Sequence, residues 1–454
     1  MPVAESMTLP NPVSISRLKS LLNWLGRPYA FLDECIQQHG DIFTIHFLGF
    51  PPLVFMSDPN AIKEIFAVDA RQFDAGRSND ILQPLLGQHS LVLLDGDRHK
   101  RERKMLMPPF HGAKVIAYGE TICQITAATC AQWQPQQTIL ASEAMPEITM
   151  EVILQTVFGL RAGDRYQRLK SLLVSLLNLT GSPLSSSLLF FPWLQQDLGK
   201  WSPWGKVVHM RQQVYELLQA EINERRTNTS ASNTPPGDDV LSLLLLAQDE
   251  NGQPMSDDEI KDELITMLVA GHETTASVLC WALYWVHKRP EIKAKLIEEL
   301  EDAGPDADIM TLAKLPYLSA VASESLRLYP IVPIIFPRIT KNAVTIQGRT
   351  YPPETALAPC VYAVHHREDL YPNPKQFRPE RFLERQYAPS EFIPFGGGNR
   401  RCLGYSLAKL EINLILATIL KTRSLTLTHQ KPVTPRRRGV VIATSNGVPL
   451  TVTA

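Results

Sequence analysis

The sequence predicts a mainly α-helical protein with small β-sheets, and three stretches carry that expectation. Ser256-Asp257-Asp258-Glu259 is a capping box, and no proline follows until Pro290. A single helix of about 33 residues, roughly 50 Å long, is therefore allowed. Its apolar residues, among them Ile265, Leu268, Val269, Ala276, Leu279, Trp281 and Leu283, point to deep burial. A second segment, Tyr405 to Leu420, is apolar on almost every side, as a buried helix is. The strands are short. Ile42, Phe43, Ile45 and Phe47, then Leu53, Val54 and Phe55, are separated by Gly49-Phe50-Pro51-Pro52 and read as two strands joined by a turn.

Composition narrows the class. The 454 residues would suggest about three domains on length alone. A hydrophobic content of 44% with 20% charge does not force a split, so residues 1–454 are read as one domain. The net charge of −1 gives no support to nucleic-acid binding, which draws on clustered positive charge. Cysteines at 35, 123, 130, 280, 360 and 402 show no Cys-x-x-Cys spacing, which argues against a zinc ribbon or a dithiol motif and suits a reducing compartment. The first forty residues hold no apolar run near the roughly 20 residues that span a bilayer, and no signal-peptide core. A cytoplasmic protein is expected. The segment Leu21 to Leu32, with Trp24 and Tyr29, either packs onto the body or makes peripheral contact with a membrane.

In chain order, Asp58-Pro59 opens a helix through Phe66, and Asp74 to Ser90, with Gly76, Pro84 and Gly87, is irregular and expected to be mobile. His99 and Arg103 lie four apart and share one helix face. Helical patterning runs through Glu120 to Phe158. The span Leu172 to Trp204 is apolar, and Thr227 to Asp239 reads as a surface loop. Leu318 to Leu328 is an amphipathic helix with Glu324 and Arg327 three apart on one face. Ile331 to Arg338 reads as an extended apolar strand, Val344 to Tyr351 as a hairpin, and Arg438 to Ile442 with Ser445 to Pro449 as another.

Two stretches are costly unless they carry chemistry. In Pro394-Phe-Gly-Gly-Gly-Asn-Arg-Arg-Cys-Leu-Gly404, three glycines let backbone approach a flat ligand, and Cys402 sits at a helix start whose field favours a thiolate. In Ala270-Gly-His-Glu-Thr-Thr275, an acid and two hydroxyls stand inside a buried helix, where the acid must be desolvated and the hydroxyls compete for backbone carbonyls. His272 there has no matched second ligand and is read as a packing or hydrogen-bonding residue.

The spacing Phe395, Gly398, Arg400, Cys402, Gly404 matches the haem-binding pattern of the cytochrome P-450 family, which this chain resembles along essentially its whole length. The resemblance implies the fold of that family, with haem b between the long distal helix and the proximal cysteine loop. The β-rich lobe would lie mainly at 41–70 and 331–365, the helical lobe elsewhere. It also implies roles. Cys402 is the proximal iron ligand; Phe395 covers its sulfur; Gly396, Gly398 and Gly404 give the porphyrin room. His99, Arg103, Arg338 and Arg400 hold propionates. Ala270 and Gly271 leave space on the distal side, where Thr274 orients dioxygen and Glu273 relays protons. Glu324, Arg327 and Arg381, the last from Pro379-Glu-Arg-Phe382, form a buried lock.

The implied reaction inserts one atom of O2 into a lipophilic substrate, reducing the other to water with two electrons from a ferredoxin or flavodoxin and its reductase. A monomer is expected. Lys100, Arg101, Lys104, Lys114, Arg401 and Lys409 are a candidate docking patch for that acidic donor, against the plain reading of a solvated face. Leu82, Leu85, Val269, Ile331, Val332, Ile334 and Ile335 are candidate pocket residues, with Arg77 either a carboxylate anchor or an exposed loop arginine. Fatty acids rank first as substrates, with terpenoids and alkanes as alternatives. A peroxygenase or isomerase would not need Glu273 and Thr274, and a haem sensor would need only the cysteine loop.

Overall fold

The long central helix spans Asp257–Lys288, and Ser256 and Glu259 cap it reciprocally as the sequence predicts. In this computed structural model, which describes residues 9–181, 195–232, 237–439 and 441–453, the helix is buried along most of its length. It packs against Ala141–Thr156, Pro316–Leu328 and Tyr405–Thr422. The all-round apolar sequence requires this, because no face of the helix suits water. Trp281 and Tyr329 stack with centroids 3.6 Å apart and planes inclined by 6°.

A five-stranded sheet forms the other layer, in the order Ile42–Ile45, Leu53–Met56, Ala356–Pro359, Arg338–Thr340, Phe73–Asp74. Leu53–Met56 runs parallel to Ala356–Pro359, with Val54 opposite Leu357; the other pairings are antiparallel. Side chains alternate along a strand, so two cores flank this one. Leu53 and Phe55 join Phe43, Phe31 and Tyr29 on one side, while Val54 and Met56 join Ile65, Phe73 and Leu357 on the other. Each buried large side chain contributes roughly 1.5–3 kcal/mol relative to exposure.

Several expectations are corrected. Ile331–Pro337 is irregular, and the strand begins only at Arg338. The C-terminal hairpin pairs Pro435–Arg438 with Val441–Thr444, whereas Pro449–Val452 joins a separate sheet with Thr138–Leu140 and Leu425–Leu427. The apolar alternation around Val441 could not fix which neighbour it pairs with. Thr227 to Ser232 continues the helix Pro203–Ser232, because polar composition alone does not stop a helix that lacks proline or glycine. Asp74 to Ser90 is ordered into a 3-10 turn, Arg77–Leu82, and a short helix, Gln83–Leu86. Residues 182–194 of the expected apolar lid and 233–236 of the expected loop lie outside the described residues.

Candidate active site

The cysteine loop is held by its own backbone. Cys402 N–H donates to the Phe395 carbonyl at 2.9 Å, and Arg401 N–H donates to Gly398 at 3.2 Å. Gly396 and Gly398 have φ of +67° and +64°, which glycine alone adopts without strain. The expected room for a flat ligand at Gly398 is instead close packing: a Cβ there would lie 3.0 Å from the Phe66 carbonyl, and one at Gly397 would lie 2.2 Å from the Phe66 ring. At Gly404 the space is open. The Phe395 and Tyr405 rings meet edge to face at 4.9 Å.

Cys402 reaches solvent although protein rings it. It precedes the helix Tyr405–Thr422 by three residues, so the helix field reaches it mainly through the Gly404 N–H. Burial holds the thiol above its ordinary range and outweighs Gly404, Arg103 and Arg401, which pull it down. The helix start therefore does not ionise it alone.

A cationic cavity lies beside the loop, lined by His99, Arg338, Arg400, Asn399, Phe73, Ala70, Ala75 and Gly96. Arg338 is 2% exposed. Its Nη1 donates to Ile65 and its Nη2 to Gly397, at 2.8 and 3.0 Å, its Nε has no acceptor, and no carboxylate among the described residues pairs with it. Arg400 donates to the Leu94 carbonyl at 2.5 Å and to Asp95 Oδ1 at 2.6 Å, again with Nε unmet. Burial, with Arg400 as like-charged neighbour, pushes Arg338 down to about 10; burial also takes Arg400 to about 10 and His99 to about 3. Buried N–H groups without acceptors are costly, so the unmet Nε groups of Arg338 and Arg400 fit an anion with planar oxygens, such as a haem carboxylate. Arg103 does not line the cavity but lies close enough to lower both His99 and Arg400. Its Nη2 donates to the Arg401 carbonyl at 2.7 Å, on the cysteine side.

Midway along the central helix, Ala270 is exposed between buried turns, and the Thr274 hydroxyl donates to its carbonyl at 2.5 Å. Gly271 faces the other way, where a Cβ would lie 3.2 Å from Ile153 Cδ1; its size serves helix packing, not a ligand face. His272 is buried, with Nδ1 3.0 Å from Thr149 Oγ1, and burial lowers it to about 4. Glu273 lines a separate cavity with Asn178, Ser142 and Arg438, whose Nε lies 3.6 Å from it. Burial raises the Glu273 carboxyl, and Arg438 partly offsets this.

The lock is assembled as expected. Glu324 accepts from Arg327 at 2.7 and 2.8 Å, from Arg381 at 3.1 Å and from the Arg378 N–H at 2.8 Å. Arg327 also donates to the His365 and Pro374 carbonyls. His365 is the link that sequence reasoning missed: its Nε2 accepts from the Ile393 N–H at 2.9 Å, joining the lock to the start of the cysteine loop. Burial keeps that imidazole neutral. No spacing rule marks it.

A cytochrome P-450 family model matches residues 10–450. The chain belongs to the cytochrome P-450 family. It is 36% identical over 451 residues to the Mycobacterium tuberculosis protein named as a cytochrome P-450 135B1, covering 99% of this chain and 92% of that one. With the one named 135A1 it is 33% identical over 446 residues, covering 97% and 94%. Of solved structures, it is similar to cyanobacterial CYP120A1 bound to retinoic acid, with TM-score 0.81, 25% identity and 98% and 99% of the two chains covered. The haem domain of cytochrome P-450DA shares the fold, at TM-score 0.84 and 22% identity over 98% and 97%. The family is one of monooxygenases.

In this P-450 the candidate pocket residues divide. Leu82, Leu85 and Val269 pack together with Leu86, Leu176 and Val207. Leu82, Val332 and Ile334 line an apolar cavity with Trp24, Phe47 and Phe50. Ile331 belongs to the main core, and Ile335 packs with Val361 and Ile393. Arg77 also lines the cavity, but it is paired with Glu354 at 2.7 Å and Asp74 at 3.8 Å, so it is engaged. No helix among the described residues is long and apolar enough to cross a membrane.

The candidate docking patch is partly neutralised. Arg101 pairs with Asp249, Glu102 and Glu259, Lys104 with Glu250 and Lys114 with Asp238. Lys100 and Arg401 stay exposed, and Arg401 and Lys409 stand over the Tyr405 ring. Glu102 has its own consequence. Burial, then Glu259, pushes its carboxyl up to about 7 from an ordinary 4.5. The folded protein thus holds an extra proton between those values, and the group's stabilising contribution, present at low pH, is lost as pH rises through about 7. Glu102→Gln is expected to raise Tm by a few degrees at pH 8 and to leave it unchanged at pH 5. Thermal melts at both pH values check this; an equal change at both would remove the account.

Proposed function

We propose that this P-450 hydroxylates or epoxidises a lipophilic carboxylate, with fatty acids first, using haem b, O2 and electrons from a ferredoxin or flavodoxin. The observation that carries the cofactor assignment is the cluster of Arg338 and Arg400 with unmet guanidinium N–H groups beside an exposed Cys402. When bound, haem supplies the oxidising chemistry that places one oxygen atom in the substrate. Cys402 Sγ would ligate it as a thiolate, and Arg338, Arg400 and His99, with Arg103 beside them, would hold its carboxylates. The Thr274 hydroxyl leaves the Ala270 carbonyl to pass a proton toward dioxygen. Glu273, raised by burial and adjacent in sequence, resupplies Thr274 with protons. Lys100 and Arg401 steer the acidic donor. A monomer in the cytoplasm suits this reading.

Substrate class rests on the apolar cavity, whose walls include Trp24, Phe47 and Phe50. The retinoic acid in cyanobacterial CYP120A1 is also a lipophilic carboxylate, which favours isoprenoid acids as the second substrate reading. Titrating fatty acids, retinoids, sesquiterpenes and alkanes against the haem protein, and following the spectral change on loss of distal water, separates these classes. The proton path is tested by Thr274→Ala. Product formed with ferredoxin, reductase and O2 is expected to fall on the order of 10²-fold while electron consumption continues as peroxide. Undiminished product would favour a reaction that runs without the Glu273–Thr274 pair, and product from peroxide alone would identify a peroxygenase.

A further inference from the structure

An aspartate immediately before a helix ordinarily caps it, accepting from the N–H groups of the first turn. Asp95 stands there, before Gly96–Leu106, yet its side chain makes no such bond. It turns back along the chain. Oδ1 accepts from the N–H groups of Ala75 and Gly76, both at 2.8 Å, and Oδ2 accepts from Arg77 N–H at 3.1 Å. The same Oδ1 receives Arg400 Nη2 at 2.6 Å. Three successive backbone donors and one guanidinium therefore converge on a single carboxylate, and two of the donors' residues, Ala75 and Arg400, line the cationic cavity.

The Ala75 side of this junction is closely packed. Gly76 is pressed against the preceding segment of the helix, and a Cβ there would lie 2.2 Å from the Leu93 carbonyl. Asn79 adds bonds to the Ala75 and Val92 carbonyls. The chain then runs directly into Arg77–Leu82 and Gln83–Leu86, whose Leu82, Leu85 and Leu86 pack with Leu176, Val207 and Val269 over the central helix. On the other side, Arg400 has its Nε still unmet.

We propose that Asp95 is a positioning residue that ties the cofactor-carboxylate arginine Arg400 to the roof of the substrate cavity, so that order at one is transmitted to the other. This rests on the haem-carboxylate reading of Arg400. An anion on the free edge of the guanidinium fixes its plane, a fixed Nη2 fixes Asp95, and Asp95 fixes the amides of 75–77 from which the roof begins. Charge-assisted hydrogen bonds of this kind are about twice as strong as neutral ones, which suits a coupling element.

The test is amide hydrogen exchange and substrate titration on haem-loaded protein. In Asp95→Asn, exchange at Ala75 to Leu86 is expected to quicken about tenfold and substrate dissociation constants to rise about tenfold, the worth of one charge-assisted bond. Amides of Pro316–Leu328 should stay unchanged, a pattern that general destabilisation would not give. Arg400→Gln should quicken the same roof amides, although Arg400 makes no hydrogen bond to them. Quickened roof exchange in Asp95→Asn but not in Arg400→Gln would overturn the coupling. Undiminished haem retention in Arg400→Gln would overturn the carboxylate reading alone. Should Asp95→Asn yield no folded protein, Asp95→Glu, which keeps the charge one methylene too far out, is expected to give a smaller roof-specific change, and an unaltered roof there would also overturn the proposal.

Discussion

Glu324→Ala is expected to yield strongly destabilised protein with little bound haem. Its carboxylate is fully buried and serves Arg327 and Arg381, which are 0% and 2% exposed, together with the Arg378 N–H. Removing it leaves two guanidinium charges in a space that water does not reach. Breaking one member of such a group costs about 3–5 kcal/mol, against a total stability of roughly 5–15 kcal/mol. The damage should not stay local, because Arg327 holds the His365 carbonyl and His365 holds the Ile393 N–H at the head of the cysteine loop. Circular-dichroism melts and haem content, measured on the same preparation, check this. A variant with unchanged melting and full haem loading would remove the lock from the account.

Cys402→Ala is expected to do the opposite, keeping the fold and abolishing the chemistry. The loop bond from Cys402 N–H to the Phe395 carbonyl is made by backbone, so alanine leaves it in place. Haem held by Arg338, Arg400 and the surrounding cleft would lack its thiolate, so the reduced carbon-monoxide complex should lose the thiolate-ligated spectrum and oxygen-dependent product should disappear. Retention of that spectrum in Cys402→Ala would remove Cys402 as the ligand. The two variants together separate a residue that makes the site possible from one that acts in it.

What the sequence made legible was local or tightly patterned. The capping box at Ser256, the proline-free stretch behind it, the strand pair around Gly49 to Pro52 and the Glu324–Arg327 spacing each follow from rules spanning a few residues, and each stands in the structure. The roles of glycines did not follow. Whether the missing side chain at Gly271 or Gly397 faces a ligand or a neighbour depends on Ile153 and Phe66, which are far away in the chain. Asp95 carries no signal in the sequence, and only the approach of Ala75 to Arg77 and of Arg400 gives it work. Arg101, Lys104 and Lys114 read as free charge because their partners, Asp249, Glu250 and Asp238, come from distant segments.

The parallel pairing of Leu53–Met56 with Ala356–Pro359 sets an order for assembly during synthesis. The partners are separated by most of the chain, so on a ribosome making roughly 5–20 residues per second the first pair of strands waits on the order of 15–60 s for its neighbour. Throughout that interval Val54, Met56, Phe43 and Phe55, all buried in the finished sheet, lack part of their cover. Contacts of such sequence separation also form slowly once both ends exist. The nascent amino-terminal strands therefore stay partly uncovered until the carboxy-terminal half emerges.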